Sequence, residues 1–200
     1  MKKFTFLMLT LAIPVGIFLF LKIFGNNEYD VPYLFETGIP GCNETEKTHQ
    51  VPDITLKNAD GDTSALYDLN GYLVFGYMDM SDRISTEKKM VELVRIQDAF
   101  FETNPPKFVL LTDSTSQLPL QTLASTMGMA KGNCMVARLN GVRADDFLTC
   151  GIALTSPQDH QPHNLVLVDP AHHIMGIYNA LEVEKTDLLI LELKILLSKK

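Results

Sequence analysis

The chain has 200 residues, of which 46% are hydrophobic, 20% are charged and 8% are aromatic. This composition is typical of a folded globular protein and excludes disordered, collagen-like and low-complexity chains. The formal net charge is −7, and because every acidic residue follows position 24, residues 25–200 carry a net charge of −10. An acidic region of this kind is a poor candidate for binding nucleic acid or anionic lipid.

The N-terminus carries a long apolar run. Phe4 to Leu21 contains 18 residues without a charge, with two lysines before it and Lys22 after it. As a helix this run is about 27 Å long, close to the hydrocarbon thickness of a bilayer. No Ala-x-Ala-like cleavage site and no cysteine follow it, which favours an uncleaved anchor over a signal peptide. We therefore predict a transmembrane helix in residues 1–24 of the inner (plasma) membrane, with residues 25–200 in the periplasm or otherwise outside the cytoplasm.

Residues 25–50 have little periodicity and predict a linker to a domain over residues 51–200. Apolar runs that are continuous or alternating predict strands at residues 53–56, 72–78, 108–111, 134–137, 165–169 and 174–178. Apolar residues recurring every three or four positions predict helices at residues 85–103, 119–127, 143–154 and 183–197. This alternation predicts an α/β domain whose mixed, mainly parallel sheet has helices on both faces and an antiparallel hairpin at one edge.

The three cysteines, Cys42, Cys134 and Cys150, have neither CxxC nor CxxxC spacing. They therefore predict no zinc site and no thioredoxin-type dithiol. In an oxidising compartment one disulfide can form and leave one thiol over, and Cys134 with Cys150 is one pairing to consider. The other interpretation is that the thiols are buried and unreactive.

Three segments of the chain are similar, in this order, to parts of one known family. VPDITLKNADGDTSALYDLNGYLVFGYMDM is similar to the opening of thioredoxin-like domains, with a Pro-Asp start, an Asp-Gly turn and a central strand. KFVLLTDSTSQLPLQTLASTMGM and NLVLVDPAHHIMGIYNAL are similar to a strand ending in Asp before a Pro-started helix, and to a C-terminal hairpin. Together they resemble the Sco/SenC family of membrane-anchored copper chaperones of cytochrome c oxidase assembly. This resemblance covers residues 50–198 and implies a thioredoxin-like fold, a central mixed sheet flanked by helices and preceded by one membrane helix.

The chain departs from that family at its functional motif. The resemblance places the CxxxC motif of the family on Asp82 and Thr86, and the metal-binding histidine of the family on Gln161, between His160 and His163. Disulfide exchange needs two sulfur atoms within reach of each other, and neither Asp nor Thr supplies one. We therefore expect no enzymatic activity and no catalytic residue.

Four residues are candidate metal ligands. Met78 and Met80 follow the predicted central strand and point the same way on an extended chain. Thioethers bind Cu(I), and His160 or His163 could add an imidazole, so copper is the cofactor to consider. The alternative is that the methionines fill the core, in which case no cofactor is expected.

Other polar residues have structural interpretations as well as functional ones. Asp79 and Asp82 precede a predicted helix, where an Asp more often caps the helix than acts as an acid or base. Asp113 ends a strand, at the edge where α/β sheets place ligands. His172 and His173 fall in the predicted hairpin turn, and we expect them to be exposed.

These observations predict a membrane-anchored, extracytoplasmic accessory or binding protein related to Sco/SenC and without thiol redox activity. Its expected partner is a protein at the membrane, either a respiratory oxidase whose assembly it aids or an intact Sco-like protein. The alternative is an active copper chaperone or thiol oxidoreductase that uses Met and His, or a relocated cysteine.

Overall fold

A computed structural model describes residues 2–24, 31–42, 47–101, 105–113, 115–140, 144–154 and 164–198. The chain divides into two compact units, Met1–Asp30 and Val31–Lys200. The first unit contains helix α1, Lys2–Phe24. Within the described ranges, no helix meets the length and hydropathy required of a membrane span.

The second unit is built on one mixed sheet. In the part of the chain that the structure describes, its strands are β1 Thr55–Asn58, β2 Thr63–Ala65, β3 Leu73–Tyr77, β4 Lys107–Leu111, β5 Cys134–Asn140, β6 Asn164–Val168 and β7 Ile174–Asn179. Their spatial order is β2-β1-β5-β4-β3-β6-β7. The β3–β4 and β4–β5 pairs are parallel, whereas β1 pairs antiparallel with β2 and β5, and β6 pairs antiparallel with β3 and β7.

The prediction of a mixed sheet with a β6–β7 hairpin edge is confirmed, but the prediction that the sheet is mainly parallel is wrong. Only the β3–β4 and β4–β5 pairs are parallel, and at the edge away from β7 the chain turns back at Asp60–Gly61 from β1 into the short strand β2, which the sequence did not predict. A strand of three residues that is exposed or half-buried leaves almost no periodic signal.

Helices follow the strands at the predicted places, with one exception. They are α2 Arg83–Asp98, α3 Gln117–Thr126, α4 Ala144–Asp146 and α5 Val183–Ser198, with a 3₁₀ turn at Leu66–Asp68. The predicted helix at 143–154 is instead the short α4 followed by a π-helical turn, Phe147–Gly151. The Phe147 ring lies against Gly151, where an added Cβ would come within 2.6 Å of the ring, so this wide turn requires glycine.

The sheet has a separate hydrophobic core on each face. The first core packs α2, α3 and α5 against alternate strand residues such as Val74, Phe108, Leu110, Leu165 and Leu167. The second core lies on the other face, where Phe75, Val109 and Val166 are buried under the segment around Ile39 and Val51 and under the π-helical turn. Helical segments therefore lie on both faces, as predicted, but unequally: the three long helices pack into the first core, and the π-helical turn after α4 packs into the second.

A disulfide joins two segments that cover the second core. Cys42 and Cys150 are bonded, with their Cα atoms 5.6 Å apart, and Cys134 is the free thiol. The pairing of Cys134 with Cys150 that the sequence left open is wrong. Cys134 begins β5 and packs against the first core, on the face of the sheet opposite to Cys42. Beside the disulfide, His49 Nε2 donates a hydrogen bond of 2.8 Å to the carbonyl of Gly151.

The hairpin turn between β6 and β7 is covered by the chain that precedes β1. His172 is only 8% exposed, and its ring stacks on Tyr67 with centroids 4.0 Å apart and parallel planes. Its carbonyl accepts a hydrogen bond of 2.8 Å from the Val51 N–H. The prediction of exposed turn histidines is therefore wrong for His172, while His173 is half-buried beside Asp169.

We predict that the double substitution Cys42→Ser, Cys150→Ser lowers the free energy of unfolding by about 2 to 4 kcal/mol, because the bond closes a long loop of chain. The bonded residues are 108 positions apart. Urea denaturation followed by circular dichroism measures the change. Cys134→Ser is the matched control and keeps the disulfide. Equal stability of the double variant and the parent chain would contradict this role.

Candidate functional site

The candidate site lies at the edge of the sheet where β3 and β4 end. These strands are adjacent and parallel, so the residues that follow them meet at one edge. Open sheets with parallel strands bind ligands outside the carboxyl ends of those strands. Helix α2 starts here, directly after the turn that follows β3.

Asp82 and Thr86 hold the start of α2 in place. Asp82 caps the helix and accepts a hydrogen bond of 3.2 Å from the Ser85 N–H, as the sequence predicted. Thr86 is 1% exposed, and its hydroxyl donates a bond of 2.7 Å to the carbonyl of Asp79. Both side chains at the positions that the sequence resemblance assigns to CxxxC therefore bond to the backbone of the helix and the preceding turn.

Two further side chains bond to the carbonyls that leave β3. Lys89 Nζ donates a bond of 2.8 Å to the carbonyl of Tyr77, and the Thr112 hydroxyl donates one of 2.8 Å to the carbonyl of Met78. With the bond from Thr86, three consecutive carbonyls at the end of the central strand have side-chain donors. The turn after β3 is therefore fixed from α2 on one side and from the end of β4 on the other.

Lys89 is a buried cation that the sequence analysis missed. Its side chain is 2% exposed, and burial lowers the pKa of its ammonium to about 8, while Asp82 and Asp79 act in the opposite direction. Lys89 lies seven residues after Asp82 and three after Thr86, which places all three on one face of α2. That spacing is the signal in the sequence, but lysine is so often exposed that the spacing alone does not indicate burial.

The methionines fill the core at this edge. Met78 has no exposed surface and belongs to the first core, and Met80 is half-buried against that core. His160, Gln161 and His163 lie outside the described residues. In the ranges that are described, no group of three His, Cys, Asp or Glu side chains is arranged to hold a metal ion.

Acidic residues surround the exposed side of the same edge. The Asp113 carboxylate accepts hydrogen bonds from the hydroxyl and N–H groups of Thr115 and Ser116, which lower its pKa. The pKa of Tyr77 is raised, first by burial and then by the charges of Asp79, Asp113 and Asp145. This edge is therefore negative outside and has a lysine ammonium beneath it.

The cysteines lie away from the start of α2. Cys42 and Cys150 are bonded to each other, and burial raises the pKa of the Cys134 thiol to about 12. A thiol with such a pKa is almost entirely protonated at neutral pH and is a poor nucleophile.

Comparisons with known proteins give matches in structure alone. No protein-family profile matches the sequence. No curated protein matches it at a significant level.

Several solved structures share the arrangement described above. A SCO1/SenC family lipoprotein from Bacillus anthracis aligns with 76% of this chain and 96% of its own, at 17% identity and a TM-score of 0.61. The chain has a Sco-like thioredoxin fold. BsSco, a member of the Sco family of cytochrome c oxidase assembly proteins, aligns over 82% of this chain and 99% of its own at 17% identity and a TM-score of 0.50. Arabidopsis thaliana ScoI, solved with copper bound, aligns over 72% of this chain and 97% of its own at 13% identity and a TM-score of 0.50.

These identities establish a likeness of fold. The Sco-like fold confirms the resemblance found in the sequence. Asp82 and Thr86, on which the sequence resemblance places the motif, have the local structural roles described above.

We predict that Lys89 makes stability depend on pH. Its pKa of about 8 when folded lies below its ordinary value of 10.5, so the unfolded chain binds more protons between these values and stability rises with pH there. Relative to Lys89→Met, which has no such proton, the parent chain should gain up to about 3 kcal/mol of unfolding free energy from pH 7 to pH 10.5. Urea denaturation at several pH values measures both proteins.

The comparison with Lys89→Met removes the effects of the tyrosines and of Cys134, which titrate in both proteins. A constant difference in stability between the two proteins over this pH range would contradict a buried ammonium at Lys89.

Proposed function

We propose that this chain is a thioredoxin-like accessory protein that binds a protein partner and carries out no thiol–disulfide exchange at the start of α2. One observation supports the proposal above all: the side chains of Asp82 and Thr86, on which the sequence resemblance places the motif, are both bonded to backbone groups. A fold does not determine an activity, so these two side chains support the proposal more directly than the fold does.

We propose that the chain is anchored by its N-terminal apolar run and carries its domain outside the cytoplasm. The 18 uncharged residues from Phe4 to Leu21, with two lysines before them, support this orientation. The Cys42–Cys150 disulfide supports it too, because disulfides persist mainly in oxidising compartments.

The partner that we propose is a respiratory oxidase or an intact Sco-like protein at the same membrane. The support is the likeness of fold to BsSco, a member of the Sco family of cytochrome c oxidase assembly proteins. In this proposal the chain keeps the shape of a Sco-like domain, while the exchange of metal or electrons takes place on the partner.

A second candidate function is an active thiol oxidoreductase or copper chaperone. The Cys42–Cys150 disulfide favours the oxidoreductase, because it is a pair of sulfur atoms at a new position in the fold, next to a hydrogen-bonded His49. The copper-bound state of Arabidopsis ScoI favours the chaperone, for which Met78, Met80, His160 and His163 are the candidate ligands.

We predict that the purified chain does not catalyse disulfide reduction in an insulin assay, because the aligned positions hold no thiol. The double substitution Asp82→Cys, Thr86→Cys is the positive control and should gain a measurable rate, since a helix N-terminus favours a thiolate. Turnover by the parent chain that disappears in Cys42→Ser or Cys150→Ser would contradict the proposal and support the relocated-cysteine alternative.

We predict that the chain retains no stoichiometric copper after dialysis against a competing chelator, because thiolates are the charged, soft donors that make Cu(I) affinity high. A Cu(I) titration measures this in the parent chain and in the variant Met78→Leu, Met80→Leu, His160→Ala, His163→Ala. One equivalent of copper bound by the parent chain and lost in the variant would instead identify a thiol-free copper chaperone.

We also predict that oxidase subunits or an intact Sco-like protein co-purify with the tagged chain from its native membranes.

A further inference from the structure

A cavity lies at the opposite edge of the sheet from the candidate site. It has a volume of about 350 Å³ and lies where the parallel strands β4 and β5 begin, next to the end of α3. Lys107 starts β4 and Cys134 starts β5, and both line the cavity. Because parallel strands begin at one edge and end at the other, this cavity is separated from Asp82 and Thr86 by the length of the strands.

The wall of the cavity is a loop held in a fixed position. The Gln97 side chain donates a hydrogen bond of 3.1 Å to the carbonyl of Gly128 and accepts one of 2.8 Å from the Ala130 N–H. Met129, which is 5% exposed, and the half-buried Met135 supply apolar surface. An apolar lining with a few polar groups is typical of small-molecule sites, and this volume lies at the small end of their range.

The charged groups at this cavity are mainly positive. Lys107 is half-buried and Lys131 is exposed, and both line the cavity together with one carboxylate, that of Asp60. Among the residues that the structure describes, neither ammonium has a hydrogen-bond or ion-pair partner. Two unpaired lysines beside apolar surface are notable in a chain whose net charge is −7.

We propose that this cavity binds a small organic anion with an apolar body, such as an aromatic or short-chain carboxylate, sulfonate or phosphate. The apolar body packs on Met129 and Met135, and the anionic group lies between the ammonium groups of Lys107 and Lys131. Lysine suits this role because its ammonium is a point charge with three donors that can adapt to different anions. The proposal does not depend on the proposed function, which concerns the other edge of the sheet.

Two residues make the cavity testable. Cys134 is the free thiol of the chain and lines the cavity, so its alkylation reports whether the cavity is occupied. Gly132 also lines it, an added Cβ there meets no atom within 4 Å, and its backbone is outside the left-handed region. Gly132→Leu therefore fills space without backbone strain.

The probe is naphthalene-2-sulfonate, and naphthalene-2-sulfonamide is its neutral counterpart. Alkylation of Cys134 by iodoacetamide is followed by intact-protein mass spectrometry on the full chain in a non-ionic detergent. Only the empty fraction reacts, so the anionic probe at about four times its Kd should slow alkylation about fivefold. At the same probe concentration, the variant Lys107→Gln, Lys131→Gln should show less than about twofold protection. Lys194→Gln changes an exposed lysine on α5 and is the matched control, which should behave as the parent chain.

Gly132→Leu should slow alkylation in the absence of the probe, and the probe should give this variant no further protection.

The midpoint of thermal unfolding, measured by circular dichroism, gives a second readout if alkylation is slow. The sulfonate should raise this midpoint in the parent chain and in Lys194→Gln, and leave the midpoint of the double variant unchanged. Absence of both protection and a midpoint shift in the parent chain would overturn the proposal. Equal protection by the neutral sulfonamide, or undiminished protection in the double variant, would overturn it as well.

Discussion

The turn after β3 requires hydrogen-bond donors for three consecutive backbone carbonyls. At the end of a strand the ladder of hydrogen bonds stops, and a buried carbonyl without a donor is unfavourable by about 1 to 3 kcal/mol. Lys89, Thr112 and Thr86 supply those donors for Tyr77, Met78 and Asp79. The position of α2, the cap at Asp82 and the burial of Met78 all follow once this turn is fixed.

The same hydrogen bonds explain why a pair of thiols at positions 82 and 86 would disturb this turn. A cysteine at position 86 would replace the Thr86 hydroxyl with a weak S–H donor and leave the Asp82 N–H, at 3.2 Å, as the strong donor to the carbonyl of Asp79. Lys89, on the same face of α2, is a positive charge beneath the helix start that disfavours a second cation there. The first effect disfavours a thiol at position 86, and the second disfavours a metal ion at the start of α2.

The sequence predicted β3, β4 and β6 to within two residues, because these strands are buried on both faces and read as continuous apolar runs. It could not predict strand direction, since the pattern of a buried strand is the same whether its neighbour is parallel or antiparallel. The sequence could not predict the disulfide pairing either. The pairing depends on which face of the sheet each cysteine occupies, and that follows from the connections between strands. Lys89 was missed because its burial depends on a carbonyl contributed by another element.

The two edges of the sheet are electrostatically separate. Strand β4, Lys107–Leu111, connects them and has five residues, which at 3.3 Å per residue span roughly 16 Å. This separation exceeds the Debye length of about 8 Å at physiological ionic strength, so exposed charges at one edge are largely screened from the other. The acidic groups around Tyr77 and the ammonium groups of Lys107 and Lys131 can therefore coexist with little mutual neutralisation. An anion at the lysine edge would meet a locally positive surface, and a partner at the acidic edge would meet a locally negative one. The net charge of the chain reveals neither surface.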